Sequence, residues 1–311
     1  MTTAFLFPGQ GSQAVGMGHA LTQRFPEAAD TFREADDALG FSLSQLCFEG
    51  PAEALAQTAN TQPAILTTSI AVLRVLEERT AVRPDFVMGH SLGEFSALVA
   101  AGALSFRDAV KLVRLRGQAM QEAVPSGVGG MVAVIGKSSD EVEAMCRESA
   151  QGQVLSPANE NGGGQIVCAG HHEAVQRLIV LAKAQKARAI ALNVSAPFHC
   201  SLMQPAADRV EQALRAIEIA PLAIPVISNV DAEPNREAAR VAGLLVRQVT
   251  SRVRWEASVQ RALALGVDQA VEVGHGKVLA GLVRRIDRSV SVRPIGSPDD
   301  IDVLNGGGDG S

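Results

Sequence analysis

Short apolar runs alternate with longer segments of helical spacing along most of the chain. Residues 3–7 and 85–89 are apolar runs followed by glycine-containing polar sequence, which predicts two short buried strands. Apolar residues recur every three to four positions in 14–40, in much of 51–79 and in 105–123, which predicts helices. Strands that alternate with helices in this way predict a mainly parallel sheet covered on both faces.

The segment between residues 124 and 197 has a different order of elements. Its predicted elements follow one another as strand, helix, strand, strand, helix and strand, at 131–135, 138–149, 153–156, 165–169, 171–184 and 188–194. This is the β-α-β-β-α-β order of ferredoxin-like folds. We therefore predict a small ferredoxin-like domain at 124–197, inserted into a larger one.

Alternation of helices and strands resumes after Pro197. The predicted elements are helices at 201–217, between 236 and 265 and at 277–286, and strands at 225–229 and 269–273. The predicted fold class is therefore α/β, with a large discontinuous domain at 1–123 and 198–298 that has a parallel sheet and is similar to an α/β-hydrolase. Residues 299–311, which end in the glycine-rich sequence LNGGGDGS, are predicted to be a flexible tail.

Charge and composition argue against several classes of function. The net charge of −5 and the pI near 5.7 do not suit a general nucleic-acid binder, which needs a basic face. The longest apolar runs, such as 95–104, are shorter than the roughly 20 residues that span a bilayer. No basic residue precedes the apolar run at the N-terminus, so no secretion signal is expected. The four cysteines form no C-x-x-C pair, which indicates a reducing cytoplasm and gives no sign of a zinc site.

A serine stands between two glycines at the join of a predicted strand and a predicted helix. Gly89-His90-Ser91-Leu92-Gly93 fits G-x-S-x-G, the pattern of a nucleophile elbow. Such a turn leaves the serine at the carboxyl end of the strand, beside the free N–H groups and the positive end of the helix, which stabilise an oxyanion. The alternative is a helix start with the serine as N-cap. The strand before it and the helix after it favour the catalytic interpretation.

A serine nucleophile needs a general base at neutral pH, and the chain has six histidines. Four are expected either to point away from the serine or to have no catalytic partner: His19, His90, His171 and His172. His275, after the last strong predicted strand, is where an α/β-hydrolase places its base. His199 lies at the return from the small domain to the large one, and site residues often gather at such junctions. Spacing alone leaves the choice between His199 and His275 open.

An arginine lies on the buried face of the helix predicted at 105–123. Apolar residues at helical spacing define that face, and Arg116 is three to four positions from Leu112, Val113 and Met120. A buried guanidinium stays protonated and needs an acceptor, best an anion. That anion is either an internal Asp or Glu, or the carboxylate of a substrate bound beside the serine.

At these motifs the sequence resembles the malonyl-CoA:acyl-carrier-protein transacylases, a family of acyltransferases of fatty acid and polyketide synthesis. The resemblance covers about residues 5–294 and consists of nine segments in this order: FPGQGSQ, NTQPA, GHSLGE, RG, ANENG, VSAPFHC, SNVDA, VRQVTSRVRW and EVGHGKVL. Each segment alone is weak, whereas the nine in this order are specific.

The resemblance implies roles for individual residues. Ser91 is matched to the nucleophile and His199 to its base. Gln248 is matched to the residue that supports the histidine through its main-chain carbonyl. Gln10 and Leu92 are matched to the backbone N–H donors of the oxyanion hole. The site so implied is a Ser–His dyad without a catalytic carboxylate.

Five further positions are matched to binding roles. Arg116 is matched to the residue that holds the free carboxylate of the malonyl group, and Phe198 to the bulky residue that excludes an α-methyl group. Arg188, Arg284 and Arg285 are matched to positions that dock the carrier protein. The alternative interpretation of these three arginines is an ordinary solvated surface.

The predicted function is transfer of the malonyl group from malonyl-CoA to the phosphopantetheine thiol of acyl carrier protein, through a malonyl-serine intermediate. Such an exchange between oxygen and sulfur needs no cofactor. Gly9, Gly11 and Ala14 also match a dinucleotide-binding pattern, but Pro8 interrupts its join to the strand, so no nicotinamide site is expected. The resemblance implies a cytoplasmic monomer whose partners are malonyl-CoA and acyl carrier protein, with no nucleic acid and no membrane.

Three alternatives remain open at this point. The first is a serine hydrolase or thioesterase that uses Ser91 and His275, with Asp231 or Asp268 as the supporting acid. Against it, position 275 is usually proline in the family, so the histidine is a departure from the pattern. The second alternative is an interaction module with an inactive site. The third keeps the chemistry in a free-standing acyltransferase of polyketide assembly or of a malonate-decarboxylating complex.

Overall fold

The strands form two separate sheets in the computed structural model, which describes residues 1–194 and 196–306. In chain order the strands are β1 (Thr2–Phe7), β2 (Phe86–Gly89), β3 (Gly129–Ile135), β4 (Leu155–Gly162), β5 (Gln165–His171), β6 (Arg188–Ala191), β7 (Val226–Ile227), β8 (Pro234–Asn235), β9 (Val267–Val273) and β10 (Ser291–Ile295). Six strands belong to the first sheet and four to the second.

Helices connect most of these strands. They are α1 (His19–Arg24), α2 (Pro26–Leu39), α3 (Leu43–Glu49), α4 (Ala52–Leu55), α5 (Thr58–Arg79), α6 (Gly93–Ala100), α7 (Phe106–Glu122), α8 (Ser139–Ala150), α9 (His172–Ala184), α10 (Gln204–Leu214), α11 (Ala238–Thr250), α12 (Trp255–Ala264), α13 (Val278–Ile286) and α14 (Pro298–Gly306), with a short 3-10 helix at Ser201–Met203. The predicted α/β class is confirmed.

The large sheet has the strand order β10-β9-β1-β2-β7-β8 and is parallel except for the β7–β8 pair at its edge. Alternate residues of β1 face two different cores. Phe5 and Phe7 pack into the core that contains α2, α5 and α7, and Ala4 and Leu6 pack on the opposite side with Trp255. Burial on both faces explains why β1 is a continuous apolar run.

The small sheet is antiparallel, with the order β4-β5-β3-β6. Together with α8 and α9 it forms the predicted ferredoxin-like unit. Its strands lie between Gly129 and Ala191, inside the segment 124–197 assigned to the small domain, whose boundaries stay a prediction. The backbone of β4 also contacts the large part of the chain. Val253 N donates to Ala158 O, and Val253 O accepts from Glu160 N.

Three strands differ clearly from the sequence-based predictions, and one of them, β8, is a two-residue strand that was not predicted. β4 begins at Leu155 and continues to Gly162, well beyond the predicted 153–156, and its pairing shifts register twice. The first shift lies between Pro157 and Asn159, and the second lies between Glu160 and Gly162. A bulge tolerates proline and asparagine, which a regular ladder accommodates poorly. The strand β10 was not predicted. It is an edge strand with Pro294 inside, and a proline is tolerated at an edge.

The C-terminal segment also differs from the flexible tail predicted for 299–311. Residues Pro298–Gly306 form helix α14, in which Ile301 is buried against the main core. Ser297 caps this helix with Asp300, whose carboxylate accepts from Gly296 N and Ser297 N. The S-x-x-D spacing in the sequence is the signal of this start. Residues 307–311 lie outside the described part of the chain.

Candidate active site

Ser91 lies at the sharp turn between β2 and α6, as the nucleophile-elbow pattern predicts. Its φ is 51°, a left-handed conformation that is uncommon outside glycine. A Cβ on Gly89 would lie 2.0 Å from Gly93 C, and a Cβ on Gly93 would lie 2.0 Å from Phe7 O. The two glycines are therefore required because strand, turn and helix approach one another more closely than any side chain permits.

His199 is the histidine that reaches the serine. Ser91 Oγ and His199 Nε2 are 2.7 Å apart, and His199 Nδ1 lies 2.8 Å from the backbone oxygen of Gln248. A carbonyl oxygen can only accept, so Nδ1 carries the hydrogen and Nε2 presents its lone pair to the hydroxyl. His199 is itself in a left-handed conformation, with φ 60°. This geometry is that of a nucleophile paired with a general base.

The imidazole of His199 is neutral in this environment. Burial and, to a smaller extent, the charge of Arg116 lower the pKa of His199 to about 3, although the Gln248 carbonyl opposes the shift. Both a low-dielectric surrounding and a nearby cation disfavour the imidazolium. At neutral pH the Nε2 lone pair is therefore available to accept a proton from Ser91.

Arg116 is buried on α7, as predicted, and contacts the same hydroxyl. Its Nη2 donates to Ser91 Oγ at 3.1 Å and to Gln248 Oε1 at 2.8 Å, and its Nη1 donates to Gln62 Oε1 at 2.7 Å. Its Nε has no hydrogen-bond partner. Burial lowers the pKa of Arg116 to about 10, so the guanidinium stays charged at neutral pH. All of its acceptors are uncharged, which leaves it able to bind an anion.

Gln248 connects these groups to two residues that sequence reasoning did not assign to the site. Its Nε2 donates to Ser91 O at 2.8 Å and to Glu94 Oε2 at 2.7 Å. Asn229 holds the same turn, since its Oδ1 accepts from Ser91 N at 2.7 Å and its Nδ2 donates to Gly89 O at 2.7 Å. Both residues lie in quoted motifs, Glu94 in GHSLGE and Asn229 in SNVDA. An acid and an amide in otherwise apolar surroundings were the available signal.

Ser91, His199 and Arg116 line one cavity of about 220 Å³ between the two sheets. Its lining residues are Gln10, Gln62, His90, Ser91, Arg116, Met120, Met131, Asn159, Asn161, Val167, Leu192, Val194, Phe198 and His199. The cavity therefore contains the predicted nucleophile, base, arginine and specificity residue together with Gln10. Leu92 follows the nucleophile as the first residue before α6, where helix N–H groups lack helical partners.

The remaining histidines are held in other environments. His90 lines the cavity, but its Nε2 is bonded to Asn161 Oδ1 at 2.9 Å, and burial lowers its pKa. His171 Nδ1 accepts from Val154 N, and His172 is exposed at the start of α9. His19 is exposed at the start of α1 and stacks on Phe48.

His275 is separated from the serine. It lines a different cavity of about 550 Å³, together with Lys277 and Asp300. The acids considered as its support are engaged elsewhere. Asp231 pairs with Arg240 and Arg247, and Asp268 accepts from the backbone N–H of Thr2. The structure therefore brings His199, and not His275, to Ser91.

The three arginines matched to docking positions lie at one end of the small sheet. Arg188 on β6 is in register with Ile135 of β3, whose partner on the other side is Gln165 of β5. Gln165 Oε1 accepts from Arg285 at 3.3 Å, and both Arg284 and Arg285 are exposed at the last turn of α13. In-register neighbours project to the same face of a sheet, so these cations belong to one surface.

Metal-binding clusters and membrane-spanning helices are absent from the described residues. Within residues 1–194 and 196–306, no three His, Cys, Asp or Glu side chains are grouped so that they could hold a metal ion. No helix in those ranges has the length and apolar character needed to cross a membrane. The four cysteines are free and buried.

Comparison with known proteins gives a consistent result. The family model "Acyl transferase domain" matches residues 4–297. The chain is 48% identical over 296 residues to the malonyl CoA-acyl carrier protein transacylase of Salmonella typhimurium, covering 95% of this chain and 96% of that protein.

Solved structures share the fold as well as the sequence. The malonyl CoA-acyl carrier protein transacylase of Coxiella burnetii superposes with a TM-score of 0.95 at 45% identity, over 97% of this chain and 96% of that one. A type II PKS acyl-carrier protein has been solved in complex with its malonyl-transacylase, and that complex matches with a TM-score of 0.95 at 44% identity, over 98% of this chain and 99% of that one.

Proposed function

The chain belongs to the acyl transferase domain family, and we propose that it transfers the malonyl group from malonyl-CoA to the thiol of an acyl carrier protein. The observation that carries this proposal is the pair of contacts at one oxygen. Ser91 Oγ lies 2.7 Å from His199 Nε2 and 3.1 Å from Arg116 Nη2, inside one small cavity. A nucleophile, its base and a cation for a carboxylate are thereby within reach of one short acyl group.

The first half-reaction forms an ester on the serine. His199 Nε2 accepts the hydroxyl proton while Ser91 Oγ attacks the thioester carbonyl carbon. The resulting oxyanion is stabilised by the backbone N–H groups of Gln10 and Leu92, and loss of one such donor typically costs about 3–4 kcal/mol. The imidazolium then returns its proton to the sulfur of coenzyme A as the carbon–sulfur bond breaks. The hydrogen bond from Nδ1 to the Gln248 carbonyl keeps the ring oriented throughout.

The second half-reaction reverses these roles. The carrier protein's thiol loses its proton to His199 Nε2 and attacks the carbonyl carbon of the malonyl ester. The ester bond breaks, and Ser91 Oγ recovers the proton from the imidazolium. His199 is neutral at the start of each half-reaction because burial lowers its pKa, so its Nε2 lone pair is free to accept the proton each time.

Arg116 selects the acyl group by its charge. A malonyl carboxylate can accept from the guanidinium, whereas an acetyl group leaves the guanidinium donors that face the cavity without an acceptor. Phe198 lines the same cavity beside the base. No carboxylate of the protein takes this place by direct contact with Arg116, since its hydrogen-bond acceptors are neutral.

The covalent intermediate tests the proposed function directly. After mixing with malonyl-CoA, intact mass spectrometry should show one malonyl group per chain, and peptide mapping should locate it on Ser91. A carrier protein with its phosphopantetheine arm should discharge the adduct, whereas the same protein without the arm should not. Ser91→Ala should form no adduct. An unmodified parent protein, or an adduct that only water removes, would contradict transfer.

Carrier-protein docking gives a second prediction. Carrier proteins of this kind are acidic, so the Arg188–Arg284–Arg285 surface should attract them. Replacing Arg284 and Arg285 by glutamate is expected to raise the KM for the carrier protein about tenfold and to leave the KM for malonyl-CoA unchanged. Steady-state kinetics with each substrate varied separately would measure this.

The matched control makes the same charge change on another surface. Arg33 and Arg215 are exposed and paired only with neighbours on their own helical segments, so Arg33→Glu with Arg215→Glu should leave both KM values near those of the parent. Equal effects of the two double variants, or a rise in the KM for malonyl-CoA, would show that the α13 arginines act through overall charge and not by docking.

A further inference from the structure

Glu94 is a buried acid to which the proposed mechanism gives no part. It lies in the first turn of α6, three residues after the nucleophile, and is 2% exposed. Its Oε2 accepts from Gln248 Nε2 at 2.7 Å and from Asn229 N at 3.3 Å. An ionised carboxylate in such a position is costly unless hydrogen bonds and a positive charge compensate for its lost hydration. Hydrogen bonds to the Glu94 carboxylate are present, and a nearby positive charge is the other requirement.

Arg116 is the cation that meets this need, although it does not contact Glu94 directly. Burial raises the pKa of Glu94 to about 7, against its hydrogen bonds with Gln248 and Asn229 and the charge of Arg116. Burial lowers the pKa of Arg116 to about 10, and the charge of Glu94 opposes that shift. Each buried charge thus stabilises the other.

The side-chain amide of Gln248 stands between the two charges and can have only one orientation. A guanidinium only donates, so the end of the amide that faces Arg116 Nη2 must be oxygen. A carboxylate only accepts, so the end that faces Glu94 Oε2 must be nitrogen. Acid, amide and arginine therefore form an ordered chain, in which the guanidinium donates to the amide oxygen and the amide nitrogen donates to the carboxylate.

The separation has a consequence for the substrate. If Glu94 contacted Arg116, it would occupy the planar fork that binds a carboxylate in bidentate fashion. With an amide between them, the acid balances the buried cation but leaves the side of the guanidinium toward Ser91 Oγ open to the cavity. The same amide donates to Ser91 O, so the chain also fixes the nucleophile's backbone.

On the basis of the proposed function, we propose that Glu94 is a positioning residue: the counter-charge of Arg116, held one amide away so that the empty site is neutral and the guanidinium stays free for the acyl carboxylate. A malonyl group then adds a second anion next to Glu94. The resulting repulsion limits how tightly the malonyl ester is held, which favours its onward transfer. An acetyl group adds no charge, so Glu94 does not change how tightly the acetyl ester is held.

The equilibrium between free and acylated enzyme measures this effect. With malonyl-CoA and coenzyme A both present, Glu94→Gln should shift the equilibrium toward the malonyl-enzyme by about fivefold or more, a typical size for coupling between two sites. The equilibrium with acetyl-CoA should not change. Both are read as the acylated fraction by intact mass spectrometry, at about pH 8, where Glu94 of the free parent enzyme is ionised.

Two variants serve as controls. Glu94→Asp keeps the charge and should return the malonyl equilibrium toward the parent value. Glu272→Gln removes another buried carboxylate, which accepts from Leu279 N and Ala280 N at the start of α13. It should alter stability without moving either equilibrium. A malonyl shift in Glu272→Gln, equal shifts for malonyl and acetyl in Glu94→Gln, or no shift at all would overturn the proposal.

The outcomes separate this inference from the proposed function. A parent protein that forms no malonyl adduct refutes the function, whereas a parent that forms it while Glu94→Gln behaves like the parent refutes only the counter-charge. If Glu94→Gln alone does not fold, the folding of the double variant Glu94→Gln with Arg116→Met tests the proposal. Recovery of folding in the pair supports mutual compensation of two charges, and an unfolded pair contradicts it.

Discussion

Replacement of His199 by alanine is expected to lower the rate of Ser91 malonylation by about 10²- to 10⁴-fold, the range in which a positioned general base contributes. The 2.7 Å contact with Ser91 Oγ is the only one by which a titrating side chain of the described cavity can take the hydroxyl proton. Arg116 remains beside the oxygen but only donates, so it cannot replace the base. Rapid-quench measurement of adduct formation with malonyl-CoA gives the rate.

The matched control is His275→Ala, which should leave the rate within about twofold of the parent because His275 lines another cavity. The pH profile of Glu94→Gln is a second check, because this substitution removes a carboxylate that itself titrates near pH 7. A histidine whose pKa is lowered to about 3 stays neutral as the pH falls through 6.5, the value of a free histidine. Acylation of Glu94→Gln should therefore be almost as fast at about pH 5.5 as at about pH 8. A loss of rate centred near pH 6.5, or loss of activity in His275→Ala, would assign the base elsewhere.

The second large effect is expected at Arg116. Arg116→Met keeps much of the side-chain volume but removes the charge, and it should lower kcat/KM for malonyl-CoA by about 10²- to 10³-fold. The value for acetyl-CoA should be unchanged or higher, because an acetyl group has no carboxylate to accept from the guanidinium and no longer leaves its donors unpaired. The preference for malonyl should therefore disappear. Transfer from each coenzyme A thioester to the same carrier protein measures the ratio.

Arg114→Met is the matched control for this substitution. Arg114 lies on the same helix, bonds Asn60 and stacks over Phe41, away from the residues that line the cavity. Its loss should reduce stability to some degree but leave the malonyl preference intact. If Arg114→Met altered the preference as strongly as Arg116→Met, the selectivity would have to come from helix packing and not from the guanidinium.

Much of the fold follows from local sequence. The nucleophile elbow is predictable because glycine at positions 89 and 93 permits the close approach of β2 and α6, which a side chain at either position would prevent. The small sheet is predictable from its order of elements, which suits one known arrangement. Predictions were poorer where a segment depends on its surroundings. The edge strand β10 contains a proline, and α14 was missed because its glycine-rich end outweighed the cap at Ser297 and the buried Ile301.

The candidate site also contains residues that the sequence predicts and contacts that it does not predict. Periodicity alone placed Arg116 on the buried face of α7, and the G-x-S-x-G pattern placed Ser91 at a turn. Neither property shows what stands beside these side chains. The acid considered as an internal partner for Arg116 does exist, but it is Glu94 acting across the amide of Gln248. A chain of contacts between three distant segments leaves no periodic signal in the sequence.

Backbone preferences and apolar spacing over a few residues are enough to predict the α/β class, the turn that exposes Ser91 and the burial of Arg116. Spacing does not choose between His199 and His275 as the base; the family resemblance matches His199 to that role, and the structure shows the contact that it makes. His199 and His275 are both far from Ser91 along the chain, and only the path of the chain between the two sheets brings His199 Nε2 to the serine. Distance along the chain does not fix distance in space, so that contact required the fold.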